Sequence, residues 1–217
     1  MRSGLNAYSA HALAAYVIAV AATEAFVNET LASQMVRAFT RGSALWHMRA
    51  DWLERLELRD KIILITELVF GKALDSGAQP LQDLILLLRV RNEVVHYKFG
   101  DPPNFMNEFV RRGIALTSQA RNDDPEIKLS QPWALDLSCT EGNRWAHNTC
   151  CRIVHAVVDN IPIDEGEYQR RRASSVTGLD AFHFIHSHCQ SLAGNFAEIS
   201  DSDARELYRS LGLEPDS

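Results

Sequence analysis

Arg91, Asn92 and His96 are the residues of this chain whose types and spacing could do chemistry. They close a Leu-rich stretch that repeats at the helical period. On a wheel of ~100° per residue, Leu81, Leu84, Ile85, Leu88 and Val95 fall in one arc, and Leu87 and Val94 widen it. Arg91, Asn92 and His96 fall inside that arc, whereas Arg89 and Glu93 face away. Polar groups on a buried stripe cost free energy unless they pair with one another or line a wet cleft. Asn92 and His96, one turn apart, lie one above the other. Arg91 and His96 diverge by roughly 140°, so one small group reaches both only through the long Arg91 side chain or a second copy of the helix. An earlier helix carries a matching anomaly. Its stripe reads Leu13, Val17, Val20, Glu24, Val27, Leu31 and sets a carboxylate where the pattern calls for an apolar residue. Glu24 is therefore expected to meet Arg91 or His96, and a purely structural buried ion pair satisfies the same pattern.

Other groups carry weaker signals. His147, Cys151 and His155 are spaced by four on one helix flank, and His183, His186 and Cys189 by three on another. Either set could ligand zinc, but paired C-x2-C spacing is absent and Cys is commonly a core residue, so core and surface histidines are the expectation and no metal is assigned. Arg170, Arg171 and Arg172 could hold phosphate, although a solvated charge run is the commoner outcome. His11, His47 and His188 have no companions. No Walker loop, dinucleotide fingerprint, nucleophile elbow or catalytic carboxylate pair occurs, which sets aside the enzyme classes that need them.

The elements that must position these residues read as helices. Apolar spacing predicts a first helix from about Tyr8 to Ser33, a second from a Ser43 cap to Leu56, and a third from Asp60 to near Gly71. Pro80 opens a fourth that runs to about Tyr97, closed by Gly100 and Pro102. A short helix with Phe105 and Phe109 follows. Residues 113–144 are irregular, with room for a short hairpin. Helical pattern resumes at Trp145–Ile161 and Leu179–Leu192, on either side of a polar loop from Pro162 to Thr177, and again from a Ser200 or Asp201 cap to Leu211. The reading is all-α: a helical bundle over 1–112, an irregular connection over 113–144, and a mostly helical extension over 145–217 packed on the same core.

The chain of 217 residues carries a formal charge of −6, so bulk charge does not grip nucleic acid, and any anionic polymer must be held by a local basic groove. A composition 46% hydrophobic and 23% charged is that of a folded protein. Four cysteines, two of them adjacent, form no disulfide framework and fit a reducing cytosol. The apolar run Ala12–Ala22 is about half the length of a membrane span and lacks a basic leader, so a soluble, unprocessed, cytoplasmic chain is expected.

Arg91-Asn92-Glu93-Val94-Val95-His96 resembles the R-x4-H motif, in its common R-N-x-x-x-H form, of the HEPN superfamily. Two context features are similar as well: the preceding Leu84–Leu88 run, and the segment Ala22–Glu29, which looks like the small-x-Glu-x-Phe stretch of many HEPN first helices. The resemblance covers residues 8 to about 112. It implies an up-and-down bundle that dimerises so that two motifs face one cleft, and in many members a metal-independent endoribonuclease acting as a toxin or antiviral effector.

The residues fit what the resemblance implies. Cleaving RNA through its own 2′-OH needs a base titrating near neutrality, for which His96 is the candidate. It also needs a fixed cation against the phosphate charge, for which Arg91 is. Asn92 would orient His96 or donate to phosphate, Glu24 would position Arg91 or His96, and Arg89, Tyr97 and Lys98 would contact passing RNA. One departure is visible. HEPN toxins controlled by a nucleotidyltransferase carry Tyr two places after the His, where this chain has Lys98, so that control does not carry over. The expectation is an endoribonuclease without cofactor, with RNA as substrate, a homodimeric state, a cognate antitoxin or regulatory protein as a further partner, and no membrane. The alternative is a non-catalytic HEPN-type module that binds RNA, nucleotide or protein.

Overall fold

From Leu5 to Phe39 the sequence contains neither Gly nor Pro, so nothing stops a helix once it has started. A single helix, α1, accordingly spans Arg2–Phe39, longer at both ends than the apolar spacing predicts. The computed structural model describes residues 2–39, 55–70, 72–96, 103–115, 133–161 and 189–210. Among them every regular element is helical: α1, α2 (Leu58–Leu64), α3 (Leu81–Val95), α4 (Met106–Arg111), α5 (Thr140–Asp159) and α6 (Asp201–Ser210), with a π-helical turn at Ile65–Val69 and a 3-10 turn at Trp133–Leu137. The fold is all-α over these residues, and no hairpin occurs among them. The helix expected from Ser43 lies, except for its last two residues, outside the described residues, as do the Pro162–Thr177 loop and most of the helix expected from Leu179.

The chain divides into two compact units, each assembled from separated segments: Met1–Val20, Leu86–Thr149 and Glu198–Ser217 form one, and Ala21–Ile85 with Cys150–Ala197 the other.

In the first unit the inward positions of α1 are Ala12, Tyr16 and Val20. The stripe expected through Leu13 and Val17 has slid by one residue, because the Tyr16 hydroxyl can be buried where it donates to the Leu137 carbonyl at 3.1 Å. Four aromatic rings of this unit pack edge-on or tilted against one another. Phe105 meets Phe109 at 5.6 Å and Trp133 at 6.2 Å, and Phe109 meets Trp145 at 5.0 Å between centroids. Gly113 ends α4 at φ +69°, a left-handed cap that lets the Ile114 amide return to the Phe109 carbonyl at 2.9 Å. Helix α5 begins at Thr140, ahead of the expected Trp145. Gly142 lies so close to the Tyr16 hydroxyl and to the Ile114 and Leu137 carbonyls that a Cβ there would collide with all three. The Asn148 amide pairs with both backbone groups of Ile199, at 2.9 and 2.8 Å. Ser200 then caps α6 by accepting the Asp203 amide at 3.1 Å, and Arg144 pairs with Asp201 at 2.5 Å.

In the second unit the buried face of α1 continues through Thr23, Phe26, Val27, Thr30 and Leu31. The buried hydroxyls of Thr30 and Thr66 bond back to the Phe26 and Ile62 carbonyls, each at 2.9 Å, as hydroxyls on helical core positions commonly do. Helix α2 starts at Leu58 behind an extended Glu57, two residues before the expected Asp60, which leaves Asp60 in the first turn where the helix dipole favours an acid. Over Ala10–Leu31, α1 is long and apolar enough to cross a membrane by length and composition alone. That segment carries Glu24 and Glu29, and its periodic positions are packed as core.

Candidate functional site

The site helix is α3, and its burial revises the expected arc. Asp83, Leu84, Leu86, Leu87 and Val90 are buried, together with Leu81 at the N-terminal end, while Val95 is 53% exposed. Relative to the expected stripe, the inward face is turned by about 100° on the wheel. The reason is visible in residues 84–88, which are apolar all round and so define no face. The polar residues define it instead: Gln82, Arg89, Asn92, Glu93 and His96 span about 100° of wheel, and all five are exposed. Leu86 and Val90, which lie outside the expected arc, are core residues.

Arg91, Asn92 and His96 therefore do not share a buried stripe. Asn92 and His96 stand on the solvent face, one turn apart, joined through the backbone by the His96 amide donating to the Asn92 carbonyl at 2.9 Å. Arg91 lies at the edge of the core face and is half-buried. Its Nε is buried with no hydrogen-bond partner among the described residues. Tyr97 and Lys98 lie outside the described residues.

An open cleft of ≈ 470 Å³ borders this helix face, lined by Arg89, Asn92 and Glu93 from α3 and by Pro103, Asn104 and Phe105 ahead of α4. Arg89 and Asn92, both singled out from the sequence, are thus brought together at one cleft. Asn104 and Phe105 were missed as site residues, since no motif marks them and their place beside α3 is a matter of packing. Glu93 faces outward as expected, and facing outward is what puts it at the cleft.

Glu24 belongs to the other unit, and its ion-pair partner there is Lys61, at 3.5 Å. The Lys61 side chain is only 2% exposed and also donates to Asn28 Oδ1 at 2.9 Å. The acid on the first helix does mark a charge taken into the core, but that charge is a lysine on α2 whose position among Ile and Leu gave no motif. In the same unit, burial pushes the Cys150 thiol up to about 12, the hydrogen bond with Thr23 opposing the rise and Cys151 adding to it. All four cysteines are buried and none forms a disulfide.

No three metal-ligating side chains gather among the described residues, and His183 and His186 lie outside them. Cys151 and His155 are instead engaged with the carbonyls of Ala197 and Phe196, at 3.4 and 2.7 Å. For His155 this requires that Nε2 carry the proton. Comparison with protein-family models, with curated proteins and with solved structures finds no match to this chain.

Proposed function

We propose that the chain is a HEPN-like, metal-independent endoribonuclease, a toxin or antiviral effector acting in the cytosol as a homodimer. The observation that carries the reading is the R-x4-H spacing of Arg91 and His96 at the C-terminal end of a helix whose Asn92 and His96 face solvent beside a cleft. His96 takes the proton of a ribose 2′-OH. The O2′–P bond forms as the P–O5′ bond breaks, and the 5′ oxygen leaves as a hydroxyl by taking a proton from water, while protonated His96 returns its own to solvent. The products are a 2′,3′-cyclic phosphate and a 5′-OH end. Arg91 sets its guanidinium against the charge on the phosphate oxygens, where a charge-assisted contact is worth most if water is excluded. Its buried, unpartnered Nε is compatible with such a contact, because an unmatched donor recovers its desolvation cost when an acceptor arrives.

A second copy completes the arrangement. Around the wheel, exposed Val95 and Asn92 lie between Arg91 and His96, so a two-fold partner on this face covers Val95 and adds its own Arg91 and His96 to the phosphate. Beyond the dimer, the reading retains an antitoxin or regulatory protein as a partner.

Purified protein is expected to cut RNA in excess EDTA, to leave cyclic phosphate ends, and to ignore DNA. His96→Ala and Arg91→Ala should each abolish cutting, and expression of the wild-type chain should stop bacterial growth while His96→Ala does not. Cleavage that requires Mg²⁺ or leaves 5′-phosphates would sink the mechanism. One observation favours the non-catalytic alternative: the cleft takes in Asn92 but neither Arg91 nor His96. On that reading the chain binds RNA or nucleotide without cutting it.

A further inference from the structure

We infer that the cleft between α3 and residues 103–105 is a nucleobase pocket selective for guanine; as a substrate-recognition site it rests on the ribonuclease reading, while its chemistry does not. Its ≈ 470 Å³ falls within the usual size range of small-ligand sites. The lining suits a flat, polar heterocycle better than a lipid or a peptide side chain. Phe105 supplies an aromatic wall, and its ring is already held by Phe109 and Trp133, so little freedom is lost when a base stacks there. Helix α3 presents a carboxylate and an amide on neighbouring residues, Glu93 and Asn92, and a guanidinium about one turn earlier, Arg89.

The carboxylate decides the base. Ionised, Glu93 can only accept, through two oxygens side by side. Guanine is the RNA base with two adjacent donors on its pairing edge, N1–H and the N2 amino group. Adenine and cytosine set one amino group beside a ring-nitrogen lone pair, and uracil flanks one N–H with two carbonyls, so each of these turns an acceptor toward the carboxylate. The Asn92 and Asn104 amides then have guanine O6 and N7 to donate to, and Arg89 is left for a phosphate. Among the described residues neither Arg89 nor Glu93 is engaged in an ion pair, so no salt bridge must break on binding.

The test is titration of 5′-GMP, 5′-AMP, 5′-CMP and 5′-UMP into the full chain, followed by calorimetry. GMP should bind about tenfold or more tightly than the other three. Glu93→Gln should erase the preference, and Phe105→Leu should weaken all four. Both variants are to be checked for an unchanged melting temperature, and if Phe105→Leu melts early, Glu93→Gln alone decides. Equal binding of the four nucleotides, no binding, or a GMP preference that survives Glu93→Gln overturns the assignment. Selective GMP binding by a chain that cuts no RNA keeps the pocket and removes the nuclease. RNA cleavage without GMP selectivity does the reverse.

Discussion

Lys61 carries its ammonium into the core of the second unit. Among the described residues its ammonium is held by Glu24 and Asn28 alone, so removing the carboxylate leaves a charge in the core with one neutral acceptor. A fully buried pair broken this way costs several kcal/mol, but Glu24 is 40% exposed and water can take its place in part. Glu24→Gln is therefore expected to lower unfolding free energy by about 1–2 kcal/mol in urea titration. Lys61→Met, which keeps the volume and removes the charge, should cost less than Lys61→Ala. Equal losses for Met and Ala would mean that the charge, not the packing, matters at this position. Cys150 makes a second prediction. Its thiol is pushed from 9.0 to about 12, so the folded state favours the protonated form. The contribution is complete below pH 9.0 and is lost as pH rises toward 12. Over that window wild type should lose stability relative to Cys150→Ala with a slope approaching ~1.4 kcal/mol per pH unit, and parallel curves for the two proteins would refute it.

At the scale of elements, α1, α4 and α5 depend on close approaches that only particular side chains allow. Gly142→Ala puts a methyl group onto the Tyr16 hydroxyl and two carbonyls, and should cost about 1–3 kcal/mol of stability. Tyr16→Phe removes one of the three obstacles, so the double variant should be more stable than the sum of the single effects implies. Strict additivity in thermal melts would show that the helix shifts as a body instead. Helix α6 offers a simpler case. Ser200 accepts the Asp203 amide as its cap, and Ser200→Ala should cost about 1 kcal/mol.

For the molecule as a whole, the proposed function requires two copies. Arg91 and His96 diverge by roughly 140° on α3, and both Leu86 and Val90 are already buried within the chain, so the contact between copies must be made by the exposed face around Val95. Such an interface should bury more than about 1,000 Å² in total if it is specific. Mixing Arg91→Ala with His96→Ala subunits gives a mixed dimer with one intact Arg91 and His96 pair, and part of the RNase activity should return. Two inactive variants that stay inactive despite demonstrated subunit exchange would exclude a shared site with one working pair. A chain that remains monomeric at micromolar concentration while cutting RNA would exclude the dimer.

Much of this architecture is legible along the chain, because helices are local structures. The absence of Gly and Pro from Leu5 to Phe39 carries α1, Pro80 precedes α3, Gly113 closes α4, and Ser200 caps α6, each through backbone constraints acting within a turn or two. Which side of a helix faces inward is also local, provided that apolar and polar residues segregate. In α3 they do not segregate over residues 84–88, and only the polar set Gln82, Arg89, Asn92, Glu93 and His96 marks the solvent face. Reading 1–112, 113–144 and 145–217 in order likewise follows the chain, whereas the two compact units draw on segments far apart in sequence. Partnership across such distances, Tyr16 with Leu137, Glu24 with Lys61, Asn92 with Phe105 at one cleft, depends on which buried faces fit together. Packing selects those pairs by shape and volume summed over many side chains, and that sum has no period a sequence can display.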